Sequence, residues 1–584
     1  MTLALIGYGV APDVAIGRSH LAERNELEIG EYRIAREKVE HEIRRYRKAV
    51  VAARKQLDEL AGRISGNVGM AAGEIIQTHV LMLSDARIRE QTEAHIRSQL
   101  CNAEWALQSQ LEQILTEFRA MDDPYIRSRG EDIVQVVRLV QSKLSAEAPD
   151  KPFENIPNRL SDTLVVASEL TPGELAILHE RGVAGIVTEH GGPHSHTAIL
   201  ANSLGIPAVL GVRLAQTLLQ EGEILVLDGG LGLVYADPDE AIREHYHRVQ
   251  RDSERFRRAL DAVRELPADT SDGESIRLQA NAERLEELRE AVDLGACGIG
   301  LYRTEFLYLR GSAPDEETQV AEYDRALAAL GGVPLTIRTL DLGADKTSDA
   351  IDFAQLPRAV NPALGLRAIR LCLRDKDLFK TQLRAILRVS AHGPVRCLIP
   401  MLTCLSEIQT VEALLDEART ELDETGQPYD ADMLLGGMIE VPAAALAIED
   451  FGQHLDFLAV GTNDLLQYAL AADRMDEQVA HLYDLQHPGV IRLLHGIFQA
   501  ADALRLPVSV CGEVAGDRRF TRILLALGLR EFSMRPARLL EVKKAIRETH
   551  AGKARAALSR WLNSPPGKAR RSLLELLDES QKTD

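Results

Sequence analysis

Between residues 267 and 584, short apolar runs alternate with helical stretches through eight repeats, which constrains this chain's fold more than any other feature. The runs fall at 276–281, 298–302, 335–340, 396–401, 434–440, 457–461, 508–512 and 531–534. Eight strands, most followed by a helix, predict a (β/α)8 barrel. Such a barrel carries its chemistry at the C-terminal ends of its strands. The unusual polar residues fall there. Arg303 follows the second run, Arg338 and Asp341 close the third, and Glu440 ends the fifth. Asn463 and Asp464 follow the sixth, and Cys511 and Glu513 end the seventh.

At 584 residues the chain exceeds what one core organises, so several domains are expected. Residues 1–20 hold two apolar runs, read as strands. Residues 21–147 are charged, with apolar positions recurring at three and four, the pattern of antiparallel helices. Short apolar runs return at 164–167, 185–188, 208–210 and 224–227. The expected organisation is therefore an α/β domain (1–20 and 148–236) interrupted by a helical subdomain (21–147). A glycine-free polar helix (237–266), ended by Pro267, links these to the barrel domain (267–584).

A net charge of -20 argues against nucleic-acid binding, which needs a basic footprint. No apolar run reaches the ~20 residues needed to cross a bilayer, and the first residues lack the basic segment of a secretory leader. The six cysteines show no CxxC pair, as expected of reduced cytoplasmic thiols.

The run Gly191-Gly192-Pro193-His194-Ser195-His196-Thr197 places histidine at the mouth of a predicted helix, just after a predicted strand. A helix start offers unpaired N–H groups and a positive dipole end, and both favour an anion. An imidazole there either carries a phosphoryl group or simply caps the helix; the local pattern leaves both open.

The wider stretch TEHGGPHSHTAILANSLGIPAVLG resembles the phosphohistidine motif of the phosphoenolpyruvate-utilising enzymes, and most of all the Enzyme I family, over nearly the whole chain. The resemblance implies a Mg²⁺-dependent phosphotransferase that moves the phosphoryl group of phosphoenolpyruvate to its own His196, not His194. From there it passes to a histidine of the small carrier HPr, and pyruvate is released. By position in GLYRTEFL, TIRTLDLGADK, NPALGLRAIR, GTNDL and AADR, it implies that Arg303, Arg338, Lys346, Arg367, Asn463 and Arg474 bind substrate. The chemistry agrees: phosphoenolpyruvate carries a carboxylate and a phosphate, and an arginine fork makes paired hydrogen bonds to either. Taken singly, each arginine is equally read as a brace within the barrel. Glu440 (GGMIE) and Asp464 are the implied Mg²⁺ ligands, because this ion is commonly held by one or two carboxylates plus substrate oxygens. Cys511 (VSVCGEVAGD) is the implied proton donor to the pyruvate enolate, against the plain reading of a buried structural thiol.

The family also implies HPr docking on the helical subdomain, a homodimer joined through the barrels, cytoplasmic location, and a hinge in 237–266 that lets the phosphohistidine domain move between partners. His79, Asp85 and the DPYIRSRGEDI segment resemble family stretches, although His79 reads more simply as a helix-face histidine. The chain departs from the family pattern at Pro193, His194, Asn202 and Leu175, and in GADK, NPALGLR and NDLLQY. His194, when protonated, would partly replace a lost positive charge beside His196. A dikinase is disfavoured because the largely helical first 160 residues hold no glycine-rich phosphate loop. The remaining alternative is a non-catalytic or regulatory paralogue that binds phosphoenolpyruvate or HPr.

Overall fold

The computed structural model describes residues 2–11, 13–22, 30–64, 78–84, 86–119, 124–144, 159–192, 195–308, 313–343, 361–473, 476, 478–565 and 572–582. They form two compact units, 1–255 and 256–584.

In the first unit one sheet contains β1 (Leu3–Ile6), β2 (Tyr8–Val10), β3 (Val14–Ala22), β4 (Thr163–Ala167), β5 (Gly185–Thr188), β6 (Ala208–Leu210), β7 (Ile224–Asp228) and β8 (Leu233–Ala236). Their order is β1-β8-β7-β3-β4-β5-β6-β2. Strands β3 to β6 pair in parallel at its centre, and the flanking pairs are antiparallel. The period of two is visible along β4. Leu164 and Val166 pack with Val187, Leu225 and Val234, whereas Val165 and Ala167 pack with Leu175, Leu178 and Leu200. Both faces are covered, which is why the central strands read as continuous apolar runs.

The described helices between β3 and β4 in the chain include α1 (Val39–Ile64), α2 (Ala86–Gln99), α3 (Ala103–Arg119) and α4 (Pro124–Leu144). Val39, Ile43, Tyr46, Val50 and Ala53 recur at three and four along α1, and that stripe meets Ile96, Leu107, Leu111, Val137 and Val140. Arg47 clamps Glu93 of α2 with two hydrogen bonds of 2.7 Å. His79 is buried in this unit, and Asp85 lies outside the described residues. A long helix, Glu240–Val263, follows β8. Its apolar positions are few and its surface is charged, so packing supplies little of its stability and i,i+3 pairs such as Arg243–Glu240 and Arg255–Asp252 add support.

The second unit is built on a closed barrel of eight parallel strands. They are β9 (Arg277–Ala282), β10 (Ile299–Tyr302), β11 (Leu335–Arg338), β12 (Val395–Ile399), β13 (Leu434–Ile439), β14 (Phe457–Val460), β15 (Val508–Val510) and β16 (Glu531–Met534). Alternation along these strands divides the apolar residues into two cores. Ile337, Cys397, Ile399, Ile439, Leu458, Val460 and Val510 belong to the large cluster shared with the surrounding helices. Leu398, Met438, Phe457, Ala459 and Cys511 form a small cluster inside the barrel. The same alternation turns Arg338 inward beside Ile337 and Glu440 inward two residues after Met438. All six cysteines are free. No helix among the described residues is long and apolar enough to cross a membrane.

Candidate active site

At the C-terminal ends of the barrel strands, five side chains link into one chain of charge. Arg338, the last residue of β11, is 12% exposed and donates from Nη2 to Glu305 Oε1 at 2.8 Å. Its Nη1 lies 3.0 Å from Asp341 Oδ2. Asp341 Oδ1 in turn accepts from Arg367 Nε at 3.2 Å and Nη2 at 2.9 Å. Arg367 Nη2 then reaches Asp464 Oδ2 at 3.5 Å. Glu305 also accepts the backbone N–H of Asp341 at 3.1 Å, so a single carboxylate fixes both the arginine and the turn that follows it. Buried ion pairs of this kind add little net stability, but they fix geometry and are costly to break.

Glu440 follows β13 and is 2% exposed. Its Oε1 accepts the Met401 N–H at 2.6 Å. Burial, then the charges of Asp341 and Asp464, push its carboxyl up to about 8 from the ordinary 4.5, against the opposing pull of Arg338. Glu440, Asp464, Asp341 and Glu305 thus crowd a site in which Arg338 and Arg367 already have carboxylate partners. Such a site favours a further cation. Among the described residues no group of three or more His, Cys, Asp or Glu is placed to hold a metal by itself. A cation held by Glu440 and Asp464 would need further oxygens, as Mg²⁺ commonly takes from substrate.

Cys511 follows β15, with its thiol buried in the apolar inner cluster. Burial first, then the charge of Glu440, push the thiol up to about 12, so it holds its proton at neutral pH. The thiol donates to Val460 O at 3.6 Å. Asn463 Oδ1 accepts the Glu513 N–H at 2.9 Å, tying the turn after β14 to the turn after β15. Arg303 directly follows β10 and is partly buried, with its N–H bonded to Ala282 O. Lys346 and Arg474 lie outside the described residues.

Several contributors escape a reading of motifs. Glu305 stands within GLYRTEFL, and its one signal is a carboxylate just after a strand end. Tyr468 donates to Ala363 O at 2.7 Å, and burial with the Asp464 charge pushes its phenol up to about 12. Gln382 is buried, accepts the Leu340 N–H at 2.9 Å and donates to Thr304 Oγ1 at 3.2 Å. Thr304 Oγ1 in turn donates to Arg338 O at 3.0 Å, so Gln382 supports the backbone that carries Arg338. Nothing local in the sequence marks it.

In the first unit, β5 leads to the helix His196–Ser203, whose N-cap Ser195 accepts the Ala198 N–H at 3.3 Å. His196 is therefore the first helical residue, where backbone N–H groups lack helical partners. Thr197 is buried and donates to Leu170 O at 3.1 Å, which fixes the start of the helix. Leu175 is fully buried in the apolar core, and Asn202 is exposed. Pro193 and His194 lie outside the described residues, as does the side chain of His196.

Three family models match the chain: "PEP-utilising enzyme, N-terminal" over residues 6–129, "mobile domain" over 160–232, and "PEP-binding domain" over 257–551. A phosphoenolpyruvate-protein phosphotransferase of Cupriavidus necator is 42% identical over 558 residues, 94% of this chain and 95% of that protein. Proteins of the same description from Bacillus subtilis and Listeria monocytogenes are 35% and 34% identical, each covering at least 93% of this chain and 94% of its own.

Proposed function

This chain belongs to the Enzyme I family of phosphoenolpyruvate–protein phosphotransferases, and on that premise we propose how its own residues carry the reaction. The family reaction is phosphoryl transfer from phosphoenolpyruvate to protein. In our reading the barrel mouth binds phosphoenolpyruvate, with Arg303, Arg338, Arg367, Lys346, Asn463 and Arg474 meeting its carboxylate and phosphate. Glu440 and Asp464 would hold Mg²⁺, which, when bound, neutralises charge on the phosphoryl oxygens.

An imidazole nitrogen of His196 attacks phosphorus. The N–P bond forms as the P–O bond to the enol oxygen breaks, and the electron pair leaves with the enolate. The Cys511 thiol supplies the proton to its methylene carbon. The arginines act by position and charge, which supply most of the acceleration in phosphoryl transfer. The phosphoryl group then passes from His196 to a histidine of HPr or an HPr-like carrier, with residues 237–266 as the hinge. A cytoplasmic homodimer joined through the barrels completes the reading.

The observation that carries this reading is the charge chain from Glu305 to Asp464 at the strand ends, with the buried carboxyl of Glu440 beside it. The test uses ³²P-labelled phosphoenolpyruvate with Mg²⁺, followed by HPr. We expect acid-labile, base-stable label on the wild type, none on His196→Ala, and onward transfer to HPr. Label on His196→Ala at the wild-type level would move the nucleophile elsewhere. An unlabelled wild type would remove the catalytic reading.

A further inference from the structure

Cys511 sits among the apolar neighbours Leu398, Met438, Phe457 and Ala459, and its thiol donates to Val460 O at 3.6 Å, so its aim depends on that contact and on where its own peptide is held. That backbone is held from both sides. Its N–H donates to Val460 O at 3.1 Å. Its carbonyl accepts from Asn281 Nδ2 at 2.8 Å. Asn281 lies on β9 and reaches past β16 to the end of β15. On the way its Oδ1 accepts from the Ser533 hydroxyl at 2.6 Å, and Ser533 is fully buried on β16. The orientation of the amide follows from chemistry. A carbonyl only accepts, so the NH₂ of Asn281 faces Cys511 and the hydroxyl of Ser533 is left to donate.

The barrel wall is shaped around this strap. A Cβ on Gly300 of β10 would lie 2.5 Å from Ser533 Oγ and 2.3 Å from Gln279 Oε1, so glycine there leaves the space that the hydroxyl occupies. A polar chain inside a barrel is costly unless each member is satisfied. Here it ends on the peptide of one residue.

We propose that Asn281, oriented by Ser533, is a positioning residue for proton transfer from Cys511 to the enolate left by phosphoenolpyruvate. The inference rests on the proton-donor reading of Cys511. In the step the S–H bond breaks, its proton and the enolate's carbon–carbon π pair form the new C–H bond, and pyruvate results. The thiolate then regains a proton from water. Asn281 acts through its hydrogen bond to Cys511 O, which fixes the peptide from which the thiol projects.

The test is a single turnover of the full-length protein with Mg²⁺ and labelled phosphoenolpyruvate. Protein-bound label is read by rapid quench, and pyruvate is read continuously through lactate dehydrogenase. In the wild type the two keep pace. In Asn281→Ala, pyruvate should trail the label by about tenfold, below the full contribution of a general acid because the thiol itself remains. Ser533→Ala, a smaller change to the same strap, should show a shorter lag in the same direction, and it carries the test if Asn281→Ala does not fold. Pyruvate that keeps pace with label in both variants overturns the inference. So does an equal slowing of both products, which marks a role in overall structure. Cys511→Ala separates the two claims: if its pyruvate keeps pace with label, the proton-donor reading has failed, and not merely the role of Asn281.

Discussion

Glu440 is the residue at which the needs of folding and of chemistry oppose each other. Its carboxyl is buried beside Asp341 and Asp464 and held up to about 8, so near pH 6 the unliganded fold keeps it protonated while the unfolded chain ionises it. The native state then binds more protons than the unfolded state, and by linkage stability falls as pH rises from about 4.5 to about 8. Glutamine mimics the protonated form. In chelator, Glu440→Gln should match wild type near pH 4.5 and melt higher above pH 8, by roughly 2 °C or more if the difference reaches 1 kcal/mol. Thermal melts at the two pH values decide it, and a gap that does not widen with pH would show that Glu440 is ionised in the folded protein. Adding Mg²⁺ should reverse the order at pH 8, because ionisation is what a bound cation requires. The same crowding makes Arg338 intolerant of removal. Arg338→Ala leaves Glu305 and Asp341 buried without that partner, which should cost about 3–5 kcal/mol in denaturant unfolding along with phosphoenolpyruvate binding. A loss under 1 kcal/mol would mean that water reaches those carboxylates freely.

Among the secondary elements, the turns after β14 and β15 are locked together. A Cβ on Gly512 would stand 1.9 Å from Thr462 Oγ1 and 2.9 Å from Thr462 N, and Asn463 Oδ1 binds the Glu513 N–H just beyond. Gly512→Ala must therefore part the turn that bears Cys511 from the helix that bears Asp464. It should cost about 1–3 kcal/mol and depress phosphorylation of the protein. Full activity with native stability would show that the two turns move independently. The barrel strands were legible in the sequence because most are buried on both sides and read as apolar runs, although β9 (RLQANA) and β16 (EFSM) carry polar residues within them. Their ends were less so. The run read as 335–340 ends as a strand at Arg338, and the run read as 508–512 ends at Val510. At both places the chain leaves the ladder to aim a side chain, a tertiary effect that alternation cannot record. Glu305, Asn281 and Gln382 were illegible for a related reason: each acts through a partner distant in the chain, Arg338, Cys511 and Leu340 respectively.

At the level of the whole molecule, the chain separates into residues 1–255 and 256–584, and the charge chain, Glu440, Cys511 and Asn281 all belong to the second unit. Its barrel is closed, and its large core of buried residues spans Ile276 to Leu577, so it meets the physical conditions for folding alone. The first unit has its own sheet and helical cores. Binding and phosphoryl acceptance should therefore be separable. Residues 256–584 expressed alone should unfold cooperatively and bind phosphoenolpyruvate with Mg²⁺, with heat seen in titration calorimetry, yet take no label because His196 is absent. Residues 1–255 alone should take no label from phosphoenolpyruvate but should exchange it with phosphorylated HPr, since the helix start at His196 is complete within that unit. A barrel fragment that folds but does not bind would mean that residues of the first unit complete the substrate site. Label appearing on the barrel fragment would place a nucleophile within residues 256–584, and the assignment of His196 would have to be reopened.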